Sequence, residues 1–99
     1  MMKLPEIPKG YERLAKVLID ALDQAAYGKG KERHATDEPF EKQGMIRRNK
    51  THRGFCLAQA EKKAEESERL TGEARKREIL GIIVYAAGEI ITMEDEGSI

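Results

Sequence analysis

The densest apolar run in the chain is Glu78–Met93, EILGIIVYAAGEIITM, in which Ile79, Leu80, Ile82, Ile83, Val84, Tyr85, Ile90, Ile91 and Met93 fill most positions. About 16 residues make four to five helical turns but an unusually long strand, so the run predicts a helix. It falls short of the ~20 apolar residues of a membrane span, and Glu89 interrupts it. A helix apolar on nearly every side must be covered on nearly every side. In 99 residues the cover has to come from the other helices, from a second copy, or from both.

The remaining pattern is simpler. Residues 1–10 hold two prolines and read as an extended arm. Tyr11, Leu14, Ala15, Leu18, Ala21, Leu22 and Ala25 recur at helical spacing, with Glu12, Arg13, Lys16, Asp20 and Asp23 outside it. This predicts a first helix from about Tyr11 to Tyr27, stopped by Gly28 as its C′ residue. Residues 28–53 have no sustained period and form a basic loop region; a short helix over Phe40–Arg48 fits inside it, capped by Thr36 or Asp37 with Pro39 in its first turn. A second long helix is expected over Gly54–Leu70, with the small residues Cys56, Ala60, Ala64 and Ser67 inward beside Leu70. Gly72 then closes a hairpin into a last helix over Glu73–Glu94. Gly81 and Gly88 lie seven apart on one face of that helix, where a neighbour can approach closely. The fold class is therefore all-α, two long helices in a hairpin plus an N-terminal helix. The apolar last helix is expected to join copies into a homo-oligomeric bundle.

Composition sharpens this picture at three points. One domain spanning 1–99 is the natural reading of the length. Eighteen basic residues balance eighteen acidic ones, so net charge selects no partner. The distribution is more informative: Lys42–Arg53 holds five Lys or Arg and no acid, whereas Glu89–Ile99 holds four acids and no base. These two stretches either pair internally or leave a local anion-binding patch. The acidic end also lies at the unfavourable end of its helix dipole and should meet basic residues or fray. Cys56 is the single cysteine, which excludes an internal disulfide and a cysteine metal cluster; flanked by Phe55 and Leu57, it reads as a buried, inert thiol. Residues 1–10 have no apolar run of the signal-peptide kind, so the expected location is the cytoplasm.

Candidate chemistry concentrates in Gly28-Lys29-Gly30-Lys31-Glu32-Arg33-His34. Two glycines let backbone N–H groups approach an anion, and Lys29, Lys31, Arg33 and His34 supply charge and donors. The run lacks the strand and the terminal Gly-Lys-Ser/Thr of a phosphate-binding loop, and taken alone it reads first as a solvated helix exit. A second cluster, Arg47, Arg48, Lys50, His52 and Arg53, adjoins a helix start near Gly54 where free N–H groups favour an anion. Lys63 extends such a patch or belongs to a solvated face. Phe40, Gln59 and Tyr85 are candidate contacts to a base, with Tyr85 reading first as core. Glu61, Glu65 and Glu78 would be the carboxylates of a metal-dependent hydrolase. Many acids of that helix, however, alternate with Lys and Arg at helical spacing, as in Lys62-Glu66.

The run GKGKERH followed by PFE, then GFCLAQAEKKAEES and REILGIIVYAAGEII, resembles a group of small phage-encoded proteins over roughly residues 22–93. The paired helices also distantly resemble the all-α nucleotide pyrophosphohydrolases of the MazG type. Those carry Glu-Glu-x-x-Glu on one helix and Glu-x-x-Asp on the next, for Mg²⁺ and a nucleoside triphosphate. Here Glu78 matches the start of the second motif, but Gly81 stands at its Asp position. On the first helix Lys62 follows Glu61, and in the other register Arg69 ends the motif. Each register loses a metal ligand.

The resemblance therefore implies nucleotide binding more than hydrolysis. The expected function is non-catalytic binding of a phosphate-bearing small nucleotide, which in a phage setting would sequester a host nucleotide signal as an anti-defence device. Lys29, Lys31, Arg33, His34, Arg53 and Lys63 would meet phosphates, and Phe40, Gln59 or Tyr85 the base. No cofactor is expected unless the Mg²⁺-dependent hydrolase alternative holds. A protein-binding inhibitor of a host factor is the third reading. Zero net charge and few aromatics argue against nucleic acid.

Overall fold

The computed structural model describes residues 6–28 and 38–99. Residues 1–5 of the expected arm, and segment 29–37 with its expected Thr36 or Asp37 cap, lie outside the described residues. Among the described residues four α-helices follow one another: α1 Glu12–Tyr27, α2 Gly44–Thr51, α3 Phe55–Ser67 and α4 Gly72–Asp95, with a 3₁₀ turn at Phe40–Lys42 before α2. No strand occurs among the described residues, and the fold is all-α. No described helix is long and apolar enough to cross a membrane.

The hairpin of α3 and α4 is the frame. Gly72 adopts φ +59° at the start of α4, in the left-handed region where glycine carries no side-chain penalty. Helix α3 ends at Ser67, earlier than its pattern suggests. The Ser67 hydroxyl donates to the Ala64 carbonyl at 2.8 Å, a local bond that competes with helix continuation. Of the expected inward residues, Cys56 and Ser67 are buried and Ala60 and Leu70 half-buried, but Ala64 is exposed. The inward stripe is therefore interrupted at Ala64.

The helix expected across Phe40–Arg48 is two elements. The 3₁₀ turn stops at Lys42, Gln43 is extended, and α2 runs on to Thr51. Pro39 precedes the 3₁₀ turn and does not open an α-helix. Within the supposed irregular connection, α2 thus brings Met45, Ile46 and Asn49 into the core. Met45, Ile46, Cys56 and Tyr85 form its centre, with Phe40, Phe55, Ala60 and Val84 packed around.

Gly88 on α4 is the socket for that core. A Cβ built there would lie 3.1 Å from Ile46 Cδ1, 3.1 Å from Met45 Cε and 3.2 Å from Cys56 Sγ. The close approach expected at this glycine occurs, through side chains of two helices.

Asn49, 1% exposed, ties three helices together. Its Oδ1 accepts the Cys56 backbone N–H of α3 at 2.9 Å, and its Nδ2 donates to Thr92 Oγ1 of α4 at 3.0 Å. Thr92 in turn donates to the Gly88 carbonyl at 2.9 Å. Buried amides are stable only when satisfied in this way.

The acidic end of α4 meets the basic middle of the chain. Lys50 pairs with Asp95 at 2.8 Å and Arg53 with Glu96 at 3.0 Å. These exposed pairs contribute at most about 1 kcal/mol each, but they neutralise acids at the negative helix end. Internal pairing is therefore what this charge asymmetry does.

Helix α1 ends at Gly28, whose N–H donates to the Gln24 carbonyl at 3.0 Å. Its φ of −100° is ordinary. Glycine is needed here because a Cβ would lie 2.9 Å from the Gln24 carbonyl oxygen. Of the apolar stripe on α1 only Ala21 is fully buried; Tyr11, Leu14, Leu18 and Leu22 stay exposed.

Asn49→Ala should cost about 2–4 kcal/mol, because it strands a buried N–H of α3 and opens a cavity. Urea unfolding followed by circular dichroism measures it; a loss under about 0.5 kcal/mol would show that Asn49 does not clamp the helices.

Candidate functional site

Packing α1 against α4 leaves a cleft of about 200 Å³ beside the hairpin. Its walls come from the last turns of α1, the 3₁₀ turn, α3 and the first half of α4. Phe40, Lys63 and Tyr85, three residues singled out in the sequence, line it together.

Lys63 is placed by a glycine. A Cβ on Gly81 would lie 2.9 Å from Lys63 Cδ and 3.0 Å from Cε, so the lysine stem crosses α4 where no side chain stands. Gly81 is the second close-approach position expected on α4, and what approaches is this side chain. Lys63 Nζ lies 3.4 Å from Glu78 Oε2, with the two side chains 14% and 19% exposed. It also sits 5.9 Å from the centre of the Tyr85 ring, within cation–π range.

Tyr85, 8% exposed, belongs to both core and cleft. Its ring meets Phe55 edge to face at a centroid distance of 6.3 Å.

Sequence reasoning missed Gln24, Gln43 and Arg77, which complete the cleft. Gln24 Nε2 donates to the Arg77 backbone carbonyl at 2.9 Å, fastening α1 to α4 at the cleft wall. Arg77 is exposed, and its guanidinium enters no ion pair among the described residues. Its one signal was position: it lies a helical turn before Gly81, on the side that faces α1.

The other expected site residues are distributed differently. Gln59 is half-buried on α3 and does not line the cleft. Arg53 is exposed between α2 and α3, paired with Glu96 and outside the cleft. Lys29, Lys31, Arg33 and His34 lie outside the described residues. The anion site expected at the start of α3 is largely occupied from within. The Cys56 N–H goes to Asn49 and the Phe55 N–H to the His52 carbonyl at 3.1 Å. The neighbouring cations also have partners: Arg47 pairs with Glu38 at 2.8 Å, and Arg48 lies over the Phe55 ring at 5.3 Å.

Among the described residues no three His, Cys, Asp or Glu side chains converge as a metal site would require. Glu61 and Glu65 are exposed on α3, while Glu78 is held by Lys63. Comparison with protein-family models, with curated proteins and with solved structures yields no match.

Cys56 is fully buried, as expected of an inert thiol. Burial first, and the nearby Glu89 charge second, push its pKa from an ordinary value of 9.0 up to about 11. The thiol should therefore resist a disulfide reagent at pH 8 in the folded protein and react at once in urea. The folded state holds this proton more tightly than the unfolded chain, so the associated stability should be intact below pH 9 and lost as pH rises towards about 11. Fast labelling under native conditions would contradict the burial.

Proposed function

We propose that the cleft binds a phosphate-bearing small nucleotide without cleaving it. The observation that carries this reading is the convergence of two cations on one partly apolar cleft. Lys63 is held against a tyrosine ring, and Arg77 has no ion-pair partner among the described residues. Guanidinium and ammonium groups neutralise phosphate without a metal, the guanidinium in bidentate geometry. Phe40 and Tyr85 offer ring surface to a base, and Gln24 and Gln43 border them with amides.

At about 200 Å³ the cleft encloses one end of such a ligand, less than the ~300 Å³ at which small-molecule pockets typically begin. Chain connectivity supports a second source of charge. Gly28 and Glu38 bracket segment 29–37, and Gln24 and Phe40 beside those ends line the cleft. We assign Lys29, Lys31, Arg33 and His34 to the phosphates on that ground, with Lys63 and Arg77; Arg53 and Gln59 are left out. In the phage setting implied by the sequence resemblance, such a binder would sequester a host nucleotide signal. A further copy of the chain is the expected protein partner.

Calorimetric titration with mononucleotides and cyclic nucleotides tests the reading. Lys63→Ala and Arg77→Ala should each weaken the binding of at least one of them by about tenfold or more, and Arg33→Glu should abolish it, all without loss of helicity. Glu78→Gln should tighten binding by freeing Lys63. In a Mg²⁺-dependent pyrophosphohydrolase the same variant would instead abolish pyrophosphate release. Absence of binding by every nucleotide tried, and of any copurifying small molecule, would overturn the proposal.

A further inference from the structure

Among the described residues an exposed apolar surface lies on the other side of the cleft wall. A groove of about 550 Å³ runs between α1 and α4, lined by Leu18, Leu22, Ile83, Ala87 and Ile91 among others. On α1 the ridge Leu14, Leu18, Leu22, spaced four apart, is 54%, 48% and 65% exposed. On α4 the spacing of Ile79, Ile83, Ala87 and Ile90 places them along one side of the helix. Ile79 and Ile90 are 41% and 53% exposed, which continues the patch past the groove.

We infer that a second copy of this chain docks here, the α1 ridge of each subunit seated on the α1–α4 groove of the other. Three observations select that occupant. Ridge and groove occur on one molecule and adjoin, which is the self-complementarity a two-fold interface requires; rows of side chains four apart also pack into the matching grooves of a facing helix. The exposed parts of Tyr11, the three leucines, Ile79 and Ile90 leave on the order of 600 Å² open. That is most of the ~800 Å² each partner contributes to a standard interface. Finally, the formal net charge is zero, so two copies meet no net repulsion. Segment 29–37 offers little cover, with Ala35 as its one apolar side chain, and the N-terminal arm with Met1, Met2 and Leu4 is the competing occupant that the test below separates.

The interface bears on the cleft. Ala25, Phe40, Gln43 and Val84 line both cavities, so a docked partner braces the wall that holds the cleft's ring and amide. The inference does not depend on which ligand, if any, the cleft takes.

Sedimentation velocity over a range of concentrations tests it. The wild-type chain should run at twice its 11.2 kDa mass. Leu18→Glu combined with Leu22→Glu should run as a monomer with unchanged helicity, because both side chains are already half exposed in the single chain. Hydrogen exchange of the wild type, which needs no variant, should show concentration-dependent protection confined to α1 and the Ile79–Ile90 side of α4. A wild-type monomer at every concentration would overturn the inference, as would a dimer that survives the double substitution. Leu4→Asp should leave the dimer intact. A monomeric wild type that dimerises on this substitution would give the groove to the N-terminal arm instead.

Discussion

Close approach at two glycines of α4 governs the rest of the molecule. At Gly88 the missing side chain admits Ile46, Met45 and Cys56, so α2 and α3 converge on one point of α4. At Gly81, two turns earlier, it admits the stem of Lys63. Each glycine lowers the propensity of α4 by about 1 kcal/mol relative to alanine. The first loss is offset by core packing. The second secures the placement of a charged group at a partly shielded position, which is a functional kind of return.

The two ends of the frame carry different physics. Around Gly88 the contacts are apolar and closed by the buried Asn49–Thr92 bridge, so they fix register and resist deformation. Around Gly81 they are a lysine, a carboxylate and a tyrosine face, opening into a cleft. A shielded ion pair of this sort adds little net stability, because desolvation cancels much of the attraction. It does keep a cation poised where an incoming anion can compete with Glu78. The closed core and the open cleft thus lie at different points along one helix, and Tyr85 and Met45 belong to both.

The basic residues divide in the same way. Lys50 and Arg53 are matched by Asp95 and Glu96 and hold the α2–α3 corner to the end of α4, while Arg47 is matched by Glu38 ahead of the 3₁₀ turn. Lys63 and Arg77 stand on the cleft, away from that corner. A charge run seen in sequence therefore marks a structural clasp, while the cleft draws its cations singly from two helices. Among the described residues the leucines of α1 remain a large exposed apolar surface.

Apolar spacing determined α1 and α3, the length and density of the apolar run determined α4, and a separation of seven marked Gly81 and Gly88 as points of close approach. The neighbours of Cys56 pointed to its burial, and the charge distribution offered internal pairing of acidic tail and basic middle as one of two readings. Spacing left α2 poorly bounded, since eight residues with Met45, Ile46 and Asn49 inward offer barely two turns of pattern amid Arg47, Arg48 and Lys50. Only the tertiary structure decided that Lys63 leaves its solvated face to cross Gly81, that Gln24 and Arg77 line the same cleft from other elements, and that Arg53 turns to Glu96. It alone also showed that the exposed apolar stripe lies on α1 as much as on the greasy last helix. Spacing along a chain reports which side of a helix a residue occupies, whereas which side another helix covers depends on packing between segments distant in sequence.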